Sequence, residues 1–171
     1  INFSKIVKRE IKKNLQANIK IKMGSNFFKK KKIDSFWDWG AHVFSILSKL
    51  LNIKKIKVIS FKKNFTNSYK VNYKIILSYE ETKVYLIFGN NFRSKKIKVT
   101  YKDKNNYYEY GDSYYLKSKK NKLNSLKSFN DSPLQKSINQ VSKNIINNKI
   151  YQCTTSKKIS YIMENIYDNF K

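Results

Sequence analysis

Side chains that move protons, attack carbon or hold metals are scarce in this sequence. His42 is the single histidine and Cys153 the single cysteine among 171 residues, so neither a disulfide framework nor a Cys/His zinc set can be assembled within the chain. A lone histidine inside an apolar helical run reads as a packed or surface side chain rather than as a ligand or base. Cys153 has no His or Cys beside it in sequence to activate its thiol. The four glycines, Gly24, Gly40, Gly89 and Gly111, are too dispersed for a phosphate-cradling loop, and no G-x-x-x-x-G-K-[ST] motif occurs. No catalytic residue, metal ligand or cofactor is assigned on these grounds, and the expectation is a protein that is not an enzyme.

One short stretch, Glu81-Thr82-Lys83, resembles nucleases of the restriction-endonuclease type, which set a carboxylate and a lysine two residues apart on one strand face beside a second acidic metal ligand. No Pro-Asp element accompanies it, and in a lysine-rich chain the pattern arises by chance. It reads as a salt-bridged turn.

What dominates is positive charge. Lys+Arg number 37 against 11 Asp+Glu, a formal net charge of +26, while hydrophobic residues make up 40% and aromatics 15%. That apolar content supports a folded core, and the charge points to a polyanionic partner. The cations gather in clusters, and from element ends and loops their ammonium groups can reach phosphates. The candidate RNA-binding residues are Lys29, Lys30, Lys31, Lys32, Lys54, Lys55, Lys57, Lys62, Lys63, Arg93, Lys95, Lys96, Lys98, Lys117, Lys119, Lys120 and Lys122. Tyr107, Tyr108, Tyr110, Tyr114 and Tyr115 could stack bases, although alternating strand tyrosines more often pack on their neighbours.

The elements that must position these groups follow from hydrophobic periodicity. Phe3, Ile6, Val7 and Ile11 at helical spacing predict a short basic amphipathic helix over residues 3 to 13. Ala17, Ile19, Ile21 and Met23 alternate with polar residues, a half-buried strand that ends at Gly24-Ser25-Asn26. Ser35 and Asp38 stand at capping-box spacing before Phe36, Val43, Phe44, Leu47 and Leu50, which predicts a helix closing near Asn52. From Ile53 to Leu116 the period changes to two. Strands are expected at Ile56 to Val58, Tyr69 to Tyr79, Val84 to Phe88, Lys95 to Tyr101 and Tyr107 to Leu116, together an antiparallel meander. Residues 117 to 132 read as a basic linker. Ser132-Pro133 opens a helix with Leu134, Ile138, Val141 and Ile145 on one stripe, and a last helix carries Ile159, Ile162, Met163, Ile166, Tyr167 and Phe170. The expected fold class is α+β, an antiparallel β-meander packed with helices plus a helical C-terminal tail. Its division is a body over residues 1–116, a linker over 117–132 and an extension over 133–171. No run of 18 apolar residues offers a transmembrane segment.

The kind of residue is as telling as the amount. Only Arg9 and Arg93 are arginine, only Ala17 and Ala41 alanine, while Asn, Ile, Lys, Tyr and Phe crowd the chain. This is the imprint of A/T-rich codons rather than of thermodynamics, since Arg binds phosphate at least as well as Lys. A basic α+β body with a basic linker, a helical tail and no catalytic set resembles an organellar, mitochondrial-type ribosomal protein from an A/T-rich genome. The resemblance rests on general character and implies a structural component of a mitoribosome, acting in translation as part of a ribonucleoprotein. Its lysines would neutralise rRNA phosphates, and its partners would be rRNA and neighbouring ribosomal proteins. The alternatives are an accessory subunit of another organellar complex, a DNA/RNA nuclease or an anionic-membrane-binding protein.

Overall fold

The computed structural model describes residues 3–13, 16–26, 34–67, 70–111, 116–118 and 154–169. Helix α1 spans Phe3–Lys13 and strand β1 Asn18–Gly24; α2 spans Ser35–Leu50 and leads through a single 3-10 turn, Ile53–Lys55, into the strands. These are β2 (Lys57–Asn67), β3 (Lys70–Tyr79), β4 (Thr82–Gly89), β5 (Lys96–Lys102), β6 (Tyr107–Gly111) and β7 (Leu116–Ser118). Helix α3, Thr154–Asn169, follows. The predicted helix at 133–145, Lys29–Lys32, Lys119, Lys120, Lys122, Tyr114, Tyr115, Cys153 and Phe170 lie outside the described residues.

The strands form one sheet in the order β2-β3-β4-β1-β5-β6-β7. It is α+β and mostly antiparallel, as expected, with one departure from a meander. β1 enters between β4 and β5, parallel to β4 with Ile21 opposite Leu86 and antiparallel to β5 with Ile21 opposite Val99. A period of two assigns faces to a strand and leaves its neighbours open, which is why this insertion is not written in the local pattern.

Alternation sorts the sheet into two faces. Ile19, Ile21, Val71, Tyr73, Ile75, Leu77, Val84, Leu86, Phe88, Val99 and Tyr101 are buried under the helices. α2 supplies Phe36, Val43, Phe44, Leu47 and Leu50 to this core, and α3 adds Ile159, Met163 and Ile166. At the centre, Phe36 meets the rings of Tyr73 (5.2 Å), Phe88 (5.8 Å), Phe61 (6.0 Å) and Tyr167 (5.0 Å). The last helix is thus packed on the body through its apolar stripe.

The β4–β5 connection steps over β1 and is locked by asparagines. Asn90 N–H donates to Val71 O (3.0 Å), while Asn90 Oδ1 accepts from Val71 N–H (2.8 Å). Asn72 likewise brackets Asn91, accepting from its N–H (3.1 Å) and donating to its carbonyl (2.7 Å). Gly89 sits at φ +145° with Val71 O 2.2 Å from where a Cβ would stand, so only glycine fits this corner.

Candidate active site

The N-terminal half of α2 gathers the polar groups that could do chemistry. Its cap is Asp34, one residue before the Ser35 expected from the sequence, because the Asp34 carboxylate reaches the Phe36 N–H at 2.7 Å. The same oxygen, Oδ1, accepts from the Tyr73 hydroxyl at 2.6 Å, and Lys63 Nζ stands 3.6 Å from Oδ2. Burial, then the bond to Asp34, pushes the Tyr73 hydroxyl well above its ordinary range, so it stays a proton donor to Asp34. Lys63 also lies over the Phe65 and Tyr73 rings, 5.0 and 5.6 Å from their centroids. The result is a polar clamp that joins β2 and β3 to the helix start.

From that clamp, Asp38 and His42 follow at intervals of four residues, which at 3.6 residues per turn places Asp34, Asp38 and His42 along one stripe of α2. Asp38 is half-buried and His42 exposed. The imidazole lies 6.3 Å from the Trp39 ring at 55°. Below the stripe, Gly40 faces the core. A Cβ there would fall 2.8 Å from Met163 Cε and 3.3 Å from Phe88 Cε2, so the helix sits closer to α3 and β4 than a larger residue would allow. An exposed imidazole with a carboxylate one turn before it, on a helix held at start and middle, can take and return a proton. The spacing is legible in the sequence; reading Asp38 as a cap and His42 as an isolated residue hid it.

Among the described residues the lysine clusters are spread over several elements. Lys54 and Lys55 occupy the 3-10 turn, where Lys55 pairs with Glu80 at 3.3 Å. Lys57 and Lys62 lie on β2, Lys63 belongs to the Asp34 clamp, Arg93 and Lys95 are in the β4–β5 connection, Lys96 and Lys98 are on β5, and Lys117 is in β7. Tyr108 and Tyr110 pack inward against Tyr101 and Phe3. Glu81 lies in the β3–β4 turn and Lys83 on β4, and among the described residues no group of three His, Cys, Asp or Glu could hold a metal ion. Among the described residues no helix is long and apolar enough to cross a membrane.

No protein-family model matches the sequence, and no curated protein does. Solved structures do match in fold. A candidate oxidoreductase from Magnetospirillum magnetotacticum MS-1 superposes with a TM-score of 0.61 at 12% identity, over 83% of this chain and 51% of that one. A dehydrogenase (MviM) from Clostridium difficile gives 0.64 at 17% identity, over 96% of this chain and 58% of that one. The chain thus spans a little over half the length of the structures it resembles.

These neighbours overturn the ribosomal reading. The fold is shared with oxidoreductase and dehydrogenase structures, so the likeness to an organellar ribosomal protein, the rRNA-binding role in a mitoribosome and the expectation of no enzyme are all corrected. None of the weighed alternatives, accessory subunit, nuclease or membrane binder, finds support in them either. The physical reason is that net charge counts lysines without locating them. Among the described residues many lie on outward strand positions of a regular sheet, with others on α1 and in turns.

Proposed function

We propose that this chain forms the sheet-bearing half of an oxidoreductase, with His42 as the group that exchanges a proton with a substrate hydroxyl and Asp38 as its carboxylate neighbour. The observation that carries the reading is the stripe of half-buried Asp38 and exposed His42 on a helix locked into a fold shared with a dehydrogenase. Oxidising a CH–OH group to a carbonyl removes a hydride from carbon and a proton from oxygen. The proton half of that reaction suits imidazole, whose ordinary titration lies nearest neutrality.

A dehydrogenase also needs a hydride carrier, and the described residues do not fit one of the dinucleotide kind. The sheet is mostly antiparallel rather than doubly wound. Gly24 and Gly89 are consumed by packing: a Cβ on Gly24 would stand 2.3 Å from Gly89 O and from the Phe92 ring.

The test is oxidation of a panel of secondary alcohols by the native protein with an artificial hydride-accepting dye as the oxidant, comparing wild type, His42→Gln and Asp38→Asn. Loss of His42 should lower kcat by about 10²–10⁴-fold, the range of general acid–base catalysis, with KM little changed. Asp38→Asn should lower kcat less. Unaltered turnover in His42→Gln would remove the assignment.

A further inference from the structure

The sheet face turned away from the helices is a separate feature, and its chemistry does not depend on the stripe of α2. Across the strands, Lys62 pairs with Lys74, Lys74 with Ile87, Ile87 with Lys22, and Lys22 with Lys98. One step along, Ile76 pairs with Tyr85 and Tyr85 with Lys20. Lys20, Lys62, Lys74 and Lys83 are exposed, and among the described residues no helix lies over them. Lys22 is held below its ordinary pKa, by partial burial first and then by Lys20, Lys96, Lys98 and Lys74. Within the seven strands Glu109 is the sole carboxylate.

We propose that this face is a docking surface for an acidic protein, one that presents carboxylates around an apolar centre. Ile76, Tyr85 and Ile87 form a half-buried apolar triad, and the lysines surround it. A dry centre with a charged rim is the anatomy of a protein–protein interface. From β2 to β6 the face is about 24 Å wide at the usual strand spacing. With the strand lengths present, that approaches one side of a standard interface, about 800 Å². Glu109 shows how a carboxylate settles there, buried to 6% exposure, paired to Lys98 Nζ at 2.8 Å and bonded by the Tyr107 hydroxyl.

Charge complementarity selects this occupant. A second copy would meet the face through a two-fold axis and set lysine rows against lysine rows. RNA read on a sheet stacks its bases on exposed aromatics. Here Tyr73, Tyr101 and Phe88 point to the buried face, and the apolar centre offers Tyr85 between two isoleucines.

The experiment titrates the full chain with three probes at matched charge: a 4:1 glutamate–tyrosine copolymer, poly-L-glutamate and poly(U). Binding is compared among wild type, a face triple (Lys20→Gln, Lys22→Gln, Lys74→Gln), the single variant Ile87→Ser and a control triple on α1 (Lys5→Gln, Lys8→Gln, Lys12→Gln), each checked for folding by circular dichroism. The copolymer should bind more tightly than poly-L-glutamate. The face triple should weaken it about ten-fold, Ile87→Ser about three-fold and the control less than two-fold. Equal weakening in both triples would overturn the proposal in favour of diffuse charge. Tighter binding of poly(U), lost in the face triple, would make this a nucleic-acid surface. Sedimentation as a dimer that the face triple disperses would make the occupant a second copy.

Discussion

The two faces of this sheet are built from the same strands by the same alternation, yet they obey different constraints. The helix-covered face has been sorted by burial: most of its side chains are apolar or aromatic, and the Tyr73 and Tyr101 hydroxyls each find a carboxylate, Asp34 at 2.6 Å and Asp103 at 2.7 Å. The open face has been left to composition, and lysine fills it row after row. A codon bias toward lysine costs little where ammonium groups keep their water and would be ruinous a residue further along the strand. Composition therefore describes the outside of such a protein far better than its fold or its chemistry.

The sharpest way to break the comparison is to truncate one large side chain on each face. Phe36 is fully buried at the meeting point of β2, β3, β4 and α3. Phe36→Ala should lower stability by about 3–5 kcal/mol, read as a fall in urea midpoint with the slope unchanged. The same truncation at Ile76, half-buried on the open face, should cost clearly less. Equal losses would mean that the open face is covered in the free chain.

An intermediate effect is expected at Asp103, where a hairpin is held by one carboxylate. Its Oδ1 accepts the N–H groups of Asn105 (2.8 Å) and Asn106 (2.6 Å), and Oδ2 accepts from the Tyr101 hydroxyl. Burial alone would raise the Asp103 pKa, but the hydrogen bonds outweigh it and hold the carboxyl below its usual value. The unfolded chain then binds the proton more tightly than the folded one. Asp103 contributes stability above the unfolded carboxyl pKa, about 3.9, and that contribution fades as pH falls through the lower folded value. Asp103→Asn should cost about 1–3 kcal/mol at neutral pH and flatten the acid limb of the stability profile. A variant with an unchanged acid limb would show that another group sets it.

Much of the fold was legible because most elements declare their own period. Residues 3 to 13, the α2 helix and the strand ending at Tyr79 come out within a residue or two of their positions. The place of β1 between β4 and β5 did not, since Ile19, Ile21 and Met23 would suit any central position, and the deciding bonds run to residues some 65 and 78 positions away, as with Leu86 and Val99 opposite Ile21. The cap of α2 moved from Ser35 to Asp34 because the choice turned on which side chain reaches the Phe36 N–H. The candidate site suffered most. Asp38 and His42 carry no local signal singly; only their four-residue interval on a helix puts them on one stripe. Among the described residues, the lysines conspicuous in sequence fall on an outer sheet face, on α1 and in turns.

The smallest effect tests the open face from within the free protein. Lys22 lies among Lys20, Lys74, Lys96 and Lys98, and its pKa is lowered by partial burial and by these neighbours. A lysine whose folded pKa is depressed binds its proton less tightly folded than unfolded. It weakens the fold at neutral pH, and stability recovers as pH rises from the depressed value toward the unfolded lysine pKa, about 10.4. Lys22→Gln should thus be neutral to slightly stabilising at pH 7, within about 0.5 kcal/mol, and the gain should shrink as salt screens the neighbours. Wild type should gain from added salt more than the variant does. If Lys22→Gln instead destabilises and salt makes no difference, the ammonium is paired in the folded chain, and the contrast between a face sorted by burial and a face left open to a partner no longer holds at its centre.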